Sequence, residues 1–135
     1  MSPYAKTIKK TLVSLGANVS NLELTSIVRA GHDMRSPIVN VVQRYFVANP
    51  ASIDSLTPLE GSHVALTKHD VMLERPYVAI SKADWDFLLS EQALYYQMPS
   101  GRVVTFGKTE SGYCLMPLAK KDAAKVLRQN MKKAA

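Results

Sequence analysis

A short motif, a strand followed by a capped helix, occurs twice in tandem near the middle of the chain and constrains the fold more than any other feature. The first copy spans 64–70 and the second spans 78–84. In each copy three apolar residues precede Thr67 or Ser81, and an aspartate stands three positions after that hydroxyl residue. This spacing is typical of a capping box, in which the hydroxyl oxygen accepts a backbone N–H of the first helical turn. The repeat therefore predicts strand, helix, strand, helix, with the helices near 68–74 and 82–92.

Three more helices are predicted before the repeat, each bounded by residues that favour helix ends. Hydroxyl residues favour a helix start, proline fits the first turn, and glycine favours the left-handed backbone that ends a helix. Starts are predicted at Ser2-Pro3, at the capping box of Ser20 and Glu23, and at Ser36-Pro37, and ends at Gly16, Gly31 and Asn49-Pro50.

The segment after the repeat predicts a small sheet and a last helix. Three runs rich in Tyr, Val and Phe are separated by glycine-containing turns, which is typical of an antiparallel meander. The runs lie at 93–98, 102–106 and 113–118, the turns at 99–101 and 107–112, and the helix at 119–135.

Together these elements predict a single α+β domain. Its parts are an N-terminal three-helix layer, a central strand-helix repeat, a three-stranded antiparallel meander and a C-terminal basic helix. At 135 residues the chain has the size of one domain. A stretch rich in Ser, Thr, Pro, Asp and Gly near 50–62 predicts a seam between a helical N-terminal half and a mixed C-terminal half, each too short for a good core alone.

The order of the elements also matches a winged helix, with 107–112 as the wing. The helix that would enter the major groove, at 82–92, is unsuited to phosphates because it carries Asp84, Asp86 and Glu91 against Lys82. The other helical pair, at 21–30 and 37–48, offers Arg29, Arg35 and Arg44, but its connecting loop is longer than that of a standard helix-turn-helix.

The net charge of +6 is unevenly distributed along the chain. Residues 1–48 carry six basic residues and two acids, residues 49–100 carry three and seven, and residues 101–135 carry eight and two. An acidic centre is thus flanked by two basic ends, and we expect the two ends to meet in space as one cationic pole. Such a pole would attract a polyanion.

The sharpest functional signal is a stripe of four cations on the predicted C-terminal helix. Like charges at this spacing repel each other, so a phosphate backbone that neutralises them is one interpretation and a solvated helix face is the other. The stripe consists of Lys121, Lys125, Arg128 and Lys132 at i, i+4, i+7 and i+11.

Secondary phosphate contacts are predicted on the first helix and in the hairpin turn. Lys6, Lys9 and Lys10 lie opposite the apolar stripe of the first helix, and Lys108 lies in the turn. The Gly107-Lys108-Thr109 sequence does not predict a phosphate loop, because the first glycine of that motif and the following helix are missing.

Little in the sequence indicates an enzyme, a metal site or a cofactor. The spacing of the three histidines, His32, His63 and His69, does not match that of metal ligands. Cys114 is predicted to be a small buried hydrophobic residue within a strand. Trp85 is expected to pack the central helix onto the sheet or to serve as an interface hot spot. A platform for base stacking is another interpretation of Tyr95, Tyr96, Phe106 and Tyr113. Since the consecutive Tyr95 and Tyr96 must face opposite sides of a sheet, only part of this set can form one platform.

The leading prediction is a non-enzymatic protein that binds DNA or RNA, as a small regulator or a packaging component. The alternative is a protein-interaction module, such as a viral or phage structural subunit or an inhibitor of a host protein, in which acidic centre and basic end associate head to tail. No membrane-length apolar run or signal-peptide pattern is present, so we expect a location in the cytoplasm or in a particle assembled inside a cell.

Overall fold

The described part of the protein forms five helices and a five-stranded antiparallel sheet. The computed structural model describes residues 2–59, 73–91, 93–110 and 112–134, with side chains as far as 129 in the last helix. The helices are α1 (Pro3–Ser14), α2 (Asn21–Asp33), α3 (Ile38–Ala48), α4 (Lys82–Ser90) and α5 (Lys120–Ala134). The strands are β1 (Thr57–Pro58), β2 (Val78–Ala79), β3 (Tyr96–Gln97), β4 (Val103–Thr109) and β5 (Gly112–Pro117).

The sheet is built around one long hairpin. Its strand order is β1-β3-β4-β5-β2, so the β4–β5 hairpin lies in the centre and two-residue strands complete both sides. Val104 pairs with Pro117 and Thr109 with Gly112 at the two ends of the hairpin. The predicted antiparallel meander is confirmed as β3-β4-β5, and the sheet gains β1 and β2 at its edges.

Alternate residues of the central strands point to two separate hydrophobic cores. Val104 and Leu115 face the first core, which also holds residues of α1, α2, α3 and α4. Val103 faces the second core, where α5 contributes Val126. Since successive side chains of a strand point to opposite faces, the N-terminal helices and α4 cover one face of the sheet and α5 covers the other.

The first core joins the N-terminal helices to the sheet. It contains Ile8 and Phe46 from the helices together with Val78 and Leu115 from the strands. The backbone N–H of Ala51 donates to the carbonyl of Ala79 at 2.9 Å, immediately after α3. The predicted three-helix layer and mixed α+β class are confirmed, and the seam near 50–62 stays a prediction.

The second copy of the repeat motif folds as predicted. Val78 and Ala79 form a strand, and the Ser81 hydroxyl accepts the backbone N–H of Asp84 at 3.1 Å to begin α4. The first copy at 64–70 lies outside the described residues. The predicted helix at 68–74 is wrong at its end, because Leu73 forms an antiparallel bridge with Leu118. The winged-helix order stays a prediction.

Two helix boundaries differ from the prediction. Gly31 does not close α2, which runs on to Asp33, because the glycine is buried where α1, α2 and α3 meet. Ser36 does not cap α3, whose N-cap residue is Pro37 without a side-chain cap. The Ser36 hydroxyl instead accepts from the Arg44 guanidinium at 2.6 Å.

The strand boundaries differ as well. Of the predicted run 93–98 only Tyr96–Gln97 forms a strand, and Gly107 lies inside β4, so the hairpin turn is tighter than predicted. An added Cβ at Gly107 would meet the flexible end of the Met116 side chain on the neighbouring strand. Gly107 pairs in register with Cys114 and therefore lies in the sheet and not in a turn.

Replacing Gly31 with alanine tests the close packing at the helix junction. An added Cβ would lie 2.5 Å from the Tyr4 hydroxyl oxygen and 3.0 Å from Val41 Cγ2. The Tyr4 hydroxyl is fixed because it donates to the Ser36 carbonyl at 2.7 Å. We expect Gly31→Ala to lower the free energy of unfolding by about 1 kcal/mol, because overpacking outweighs the better helix propensity of alanine.

Urea denaturation measures this change. In a Tyr4→Phe background the blocking oxygen is gone, so the same glycine substitution should cost less or become stabilising. An equal loss in both backgrounds would contradict the steric explanation.

Candidate nucleic-acid interface and an acidic groove

The cationic stripe lies on a helix that is attached to the sheet by its opposite face. Val126 is buried and Ala123 and Leu127 pack beside it, against Val103 and Leu118 of the sheet region. Asp122, the acid in the first turn of α5, is also buried, at 4% exposure. The apolar face of α5 is therefore occupied, and Lys120, Lys121, Ala124 and Arg128 on its other side are exposed.

Three of the four predicted stripe residues have described side chains, and these three share one face. Lys121 and Arg128 are exposed and Lys125 is half-buried. At 100° per residue the three lie within an arc of about 60°, centred opposite the mean direction of the apolar residues Ala123, Val126 and Leu127. Ion pairing in the described part of the chain is confined to Arg102 and Glu74, at 2.6 Å, so no carboxylate there neutralises the stripe. Lys132 lies on α5, and its side chain is outside the described part.

The three lysines predicted on the first helix form a separate cationic face. Lys6, Lys9 and Lys10 are exposed, while Ile8 and Leu12 bury the other side of α1 in the first core. The sheet stands between that core and the one that holds α5. The expected single cationic pole is therefore wrong: the two basic helices lie on opposite faces of the sheet.

The predicted contact in the hairpin is not joined to the stripe either. Lys108 is exposed near the end of β4 and pairs in register with Tyr113. Its Nζ lies 5.7 Å from the centroid of the Tyr113 ring, and that ring packs against the first core. Lys108 consequently lies on the sheet face that carries α4.

The acids of the central segment line an open groove between α4 and the segment that leads into β1. The groove encloses about 500 Å³. Its floor is apolar and includes Ile53, Leu88 and Tyr96, and its carboxylates come from Asp54, Asp84 and Glu91. The residues of the floor belong to the first core, so the groove and α5 lie on opposite faces of the sheet.

The tyrosine in the floor of the groove is held neutral. Tyr96 is buried, and its hydroxyl donates to the Leu88 carbonyl at 3.4 Å. Burial raises the pKa of Tyr96, and the negative charge of Glu91 raises it further. The groove therefore presents carboxylate groups around an apolar floor, a combination that suits a cation with an apolar stem.

The aromatic residues considered for base stacking serve mainly as packing. Tyr95 and Tyr96 are both buried, in the second and first cores respectively, so the predicted opposite orientation of the two rings is confirmed. Trp85 contacts the rings of Phe106 and Tyr113 at centroid distances of 5.4 and 5.1 Å. The expected packing of Trp85 onto the sheet is confirmed.

Cys114 is a buried thiol, as its sequence context predicts. It is 4% exposed in β5, and burial raises its pKa to about 11. Only the thiolate reacts with disulfide reagents, so the thiolate fraction at pH 8 should be roughly a hundredfold below that of an ordinary cysteine. We expect slow labelling in the folded protein, with a rate that rises about tenfold per pH unit up to pH 10.

Labelling with a chromogenic disulfide, with the protein in denaturant as the control, measures this difference. Because the unfolded thiol releases its proton first, the same group should lower the stability of the fold as the pH rises from 9 to 11. Equal labelling rates in the folded and denatured protein would contradict the burial of Cys114.

The histidines and acids in the described part of the chain do not form a metal site. His32 packs its ring against Tyr4 at a centroid distance of 4.5 Å, and His63 and His69 lie outside the described residues. Across the described ranges, no group of three or more His, Cys, Asp or Glu side chains could hold a metal ion. None of the helices in those ranges has the length and apolar character of a membrane span.

The acidic groove is the feature that the sequence analysis missed. Asp54 comes from the segment predicted as a seam, and Asp84 and Glu91 come from a helix interpreted through its poor fit to DNA. The signal in the sequence was the spacing of seven positions between the last two, which places them on one face of a helix.

Comparison of the chain with models of known protein families, with curated proteins and with solved structures finds no match in any of the three.

Proposed function

We propose that the protein binds nucleic acid, DNA or RNA, by neutralising backbone phosphates with the exposed face of α5. The observation that carries this proposal is the row of Lys121, Lys125 and Arg128, which no described carboxylate pairs, on a helix whose apolar side is already buried. Each phosphate that a cation neutralises releases counterions, and this release favours binding without base recognition. Either a regulator or a packaging component would use such binding.

In this proposal the secondary contacts are weaker contributors than α5. The lysines of α1 and Lys108 lie on the sheet face opposite α5, so one short duplex seated on α5 leaves them unoccupied. They would contact a second segment of nucleic acid or a strand that bends around the sheet. The protein could therefore bridge two segments, as a packaging component does.

The salt dependence of binding tests the proposal. Fluorescence anisotropy with a mixed-sequence duplex and with a single strand should give log affinity that falls linearly with log salt. The expected slope on the duplex is about −3 to −4, from the three described cations of α5 and Lys132. A slope near zero, or no binding at low salt, would remove nucleic-acid binding.

A further inference from the structure

We propose that the acidic groove binds the basic helix α5 of a second copy of the chain, so that the protein associates head to tail. A nucleic acid and the groove of a second copy would compete for the same cations of α5, so the association is tested without nucleic acid. The groove has an apolar floor and three carboxylates, and ion pairing within the described chain does not involve them. The chain itself supplies a solvent-facing helix of opposite charge.

The spacing of the charges on the two helices agrees. Asp84 and Glu91 are seven positions apart at the rim of the groove, and Lys121 and Arg128 are also seven positions apart. Seven residues of helix rise about 10.5 Å, so both ends of the row can be paired at once. Asp54 on the opposite rim of the groove is available to the half-buried Lys125 between them.

The groove also suits the stems of the cations. Phe87 lines it and is 54% exposed, an unusual position for a large aromatic side chain. The methylene stems of lysine and arginine can cover such a ring while their charged ends reach the carboxylates, and an arginine over the ring adds a cation–π attraction.

The placement of the two surfaces determines the type of assembly. Because α5 and the groove lie on opposite faces of the sheet, α5 cannot occupy the groove of its own chain. Each copy offers one helix and one groove to different neighbours. Such a heterologous contact propagates into open chains unless its rotation closes a ring.

Sedimentation velocity of the full chain without nucleic acid tests the association. We expect the average sedimentation coefficient to rise with concentration at about 50 mM salt and to fall to that of a monomer at about 500 mM salt, because exposed ion pairs are screened. A monomer at low salt up to the highest soluble concentration would overturn the proposal.

Charge reversal identifies the surfaces. The variant Asp54→Lys/Glu91→Lys should associate more weakly by roughly tenfold or more, because attractions are replaced by repulsions. The control Asp33→Lys/Asp86→Lys changes the net charge equally at exposed sites outside the groove and should retain association better. Equal losses in the two variants would show a general charge effect and would overturn the proposal.

A mixture of complementary variants separates pairing from misfolding. The helix variant Lys121→Glu/Arg128→Glu and the groove variant should each be monomeric alone. When mixed in equal amounts they should form a 1:1 dimer, because the groove variant keeps the basic helix and the helix variant keeps the acidic groove. Failure of the mixture to associate, with both variants folded by circular dichroism, would overturn the assignment of α5 to the groove. Retained nucleic-acid binding by the groove variant would leave the proposed function intact.

Discussion

The variant Lys121→Gln/Arg128→Gln should bind a mixed-sequence duplex between about tenfold and a hundredfold more weakly than the unaltered protein at 0.1 M salt. The reason is that each lost phosphate contact removes close to one unit from the slope of log affinity on log salt. Both side chains are exposed on the solvent face of α5. Removing them should change the free energy of unfolding by less than about 0.5 kcal/mol.

A matched variant controls for net charge. Arg29→Gln/Lys82→Gln also removes two exposed cations, from α2 and α4, and should change the slope far less. The α1 variant Lys6→Gln/Lys9→Gln/Lys10→Gln should have an intermediate effect at most, since its lysines lie on the other face of the sheet. Equal changes in slope for the α5 and control variants would show that net charge alone, and not α5, attracts the nucleic acid.

Truncating Leu115 should have the largest effect on stability. Leu115 is fully buried at 0% exposure in the central strand β5, where it pairs in register with Phe106 on one side and Val78 on the other. The change to alanine leaves a cavity in the core shared by the helices and the sheet, and we expect a loss of about 2–5 kcal/mol.

The measurement is urea unfolding followed by two probes. Trp85, the single tryptophan, reports the packing of α4 on the sheet by fluorescence, and far-ultraviolet circular dichroism reports mainly the helices. Because both sides share the first core, the two transitions should shift together. Leu22→Ala is the control, since Leu22 is 83% exposed and its truncation should cost less than about 0.5 kcal/mol. Separate transitions would place two independent units on either side of the seam.

Local interactions explain which elements could be predicted. The starts of α1, α2 and α4 depend on a hydroxyl residue and a backbone N–H three positions later, and the structure shows these bonds at Ser2, Ser20 and Ser81. The end of the first helix near Gly16 and the long C-terminal helix follow from residues that are neighbours in the sequence as well. The cations of α5 could be placed on one face because helical periodicity alone fixes their relative directions.

The failures occur where distant segments meet. Gly31 is a typical helix-ending residue, but packing against Tyr4 and Val41 places it inside a helix. Gly107 is a typical turn residue, but its pairing in register with Cys114 places it inside a strand. The strands at the edges of the sheet are only two residues long, so they carry too little periodicity to be recognised from sequence.

By itself the sequence determined the mixed class, most of the helices, the central hairpin and the separation of charge along the chain. Only the tertiary structure decided that the basic ends lie on opposite faces of the sheet, and that acids from 54, 84 and 91 meet in one groove. The physical reason is that charge along a chain is additive and local, whereas its direction in space depends on which face of each strand is buried. The alternation of Val103 and Val104 between two cores sets that direction here.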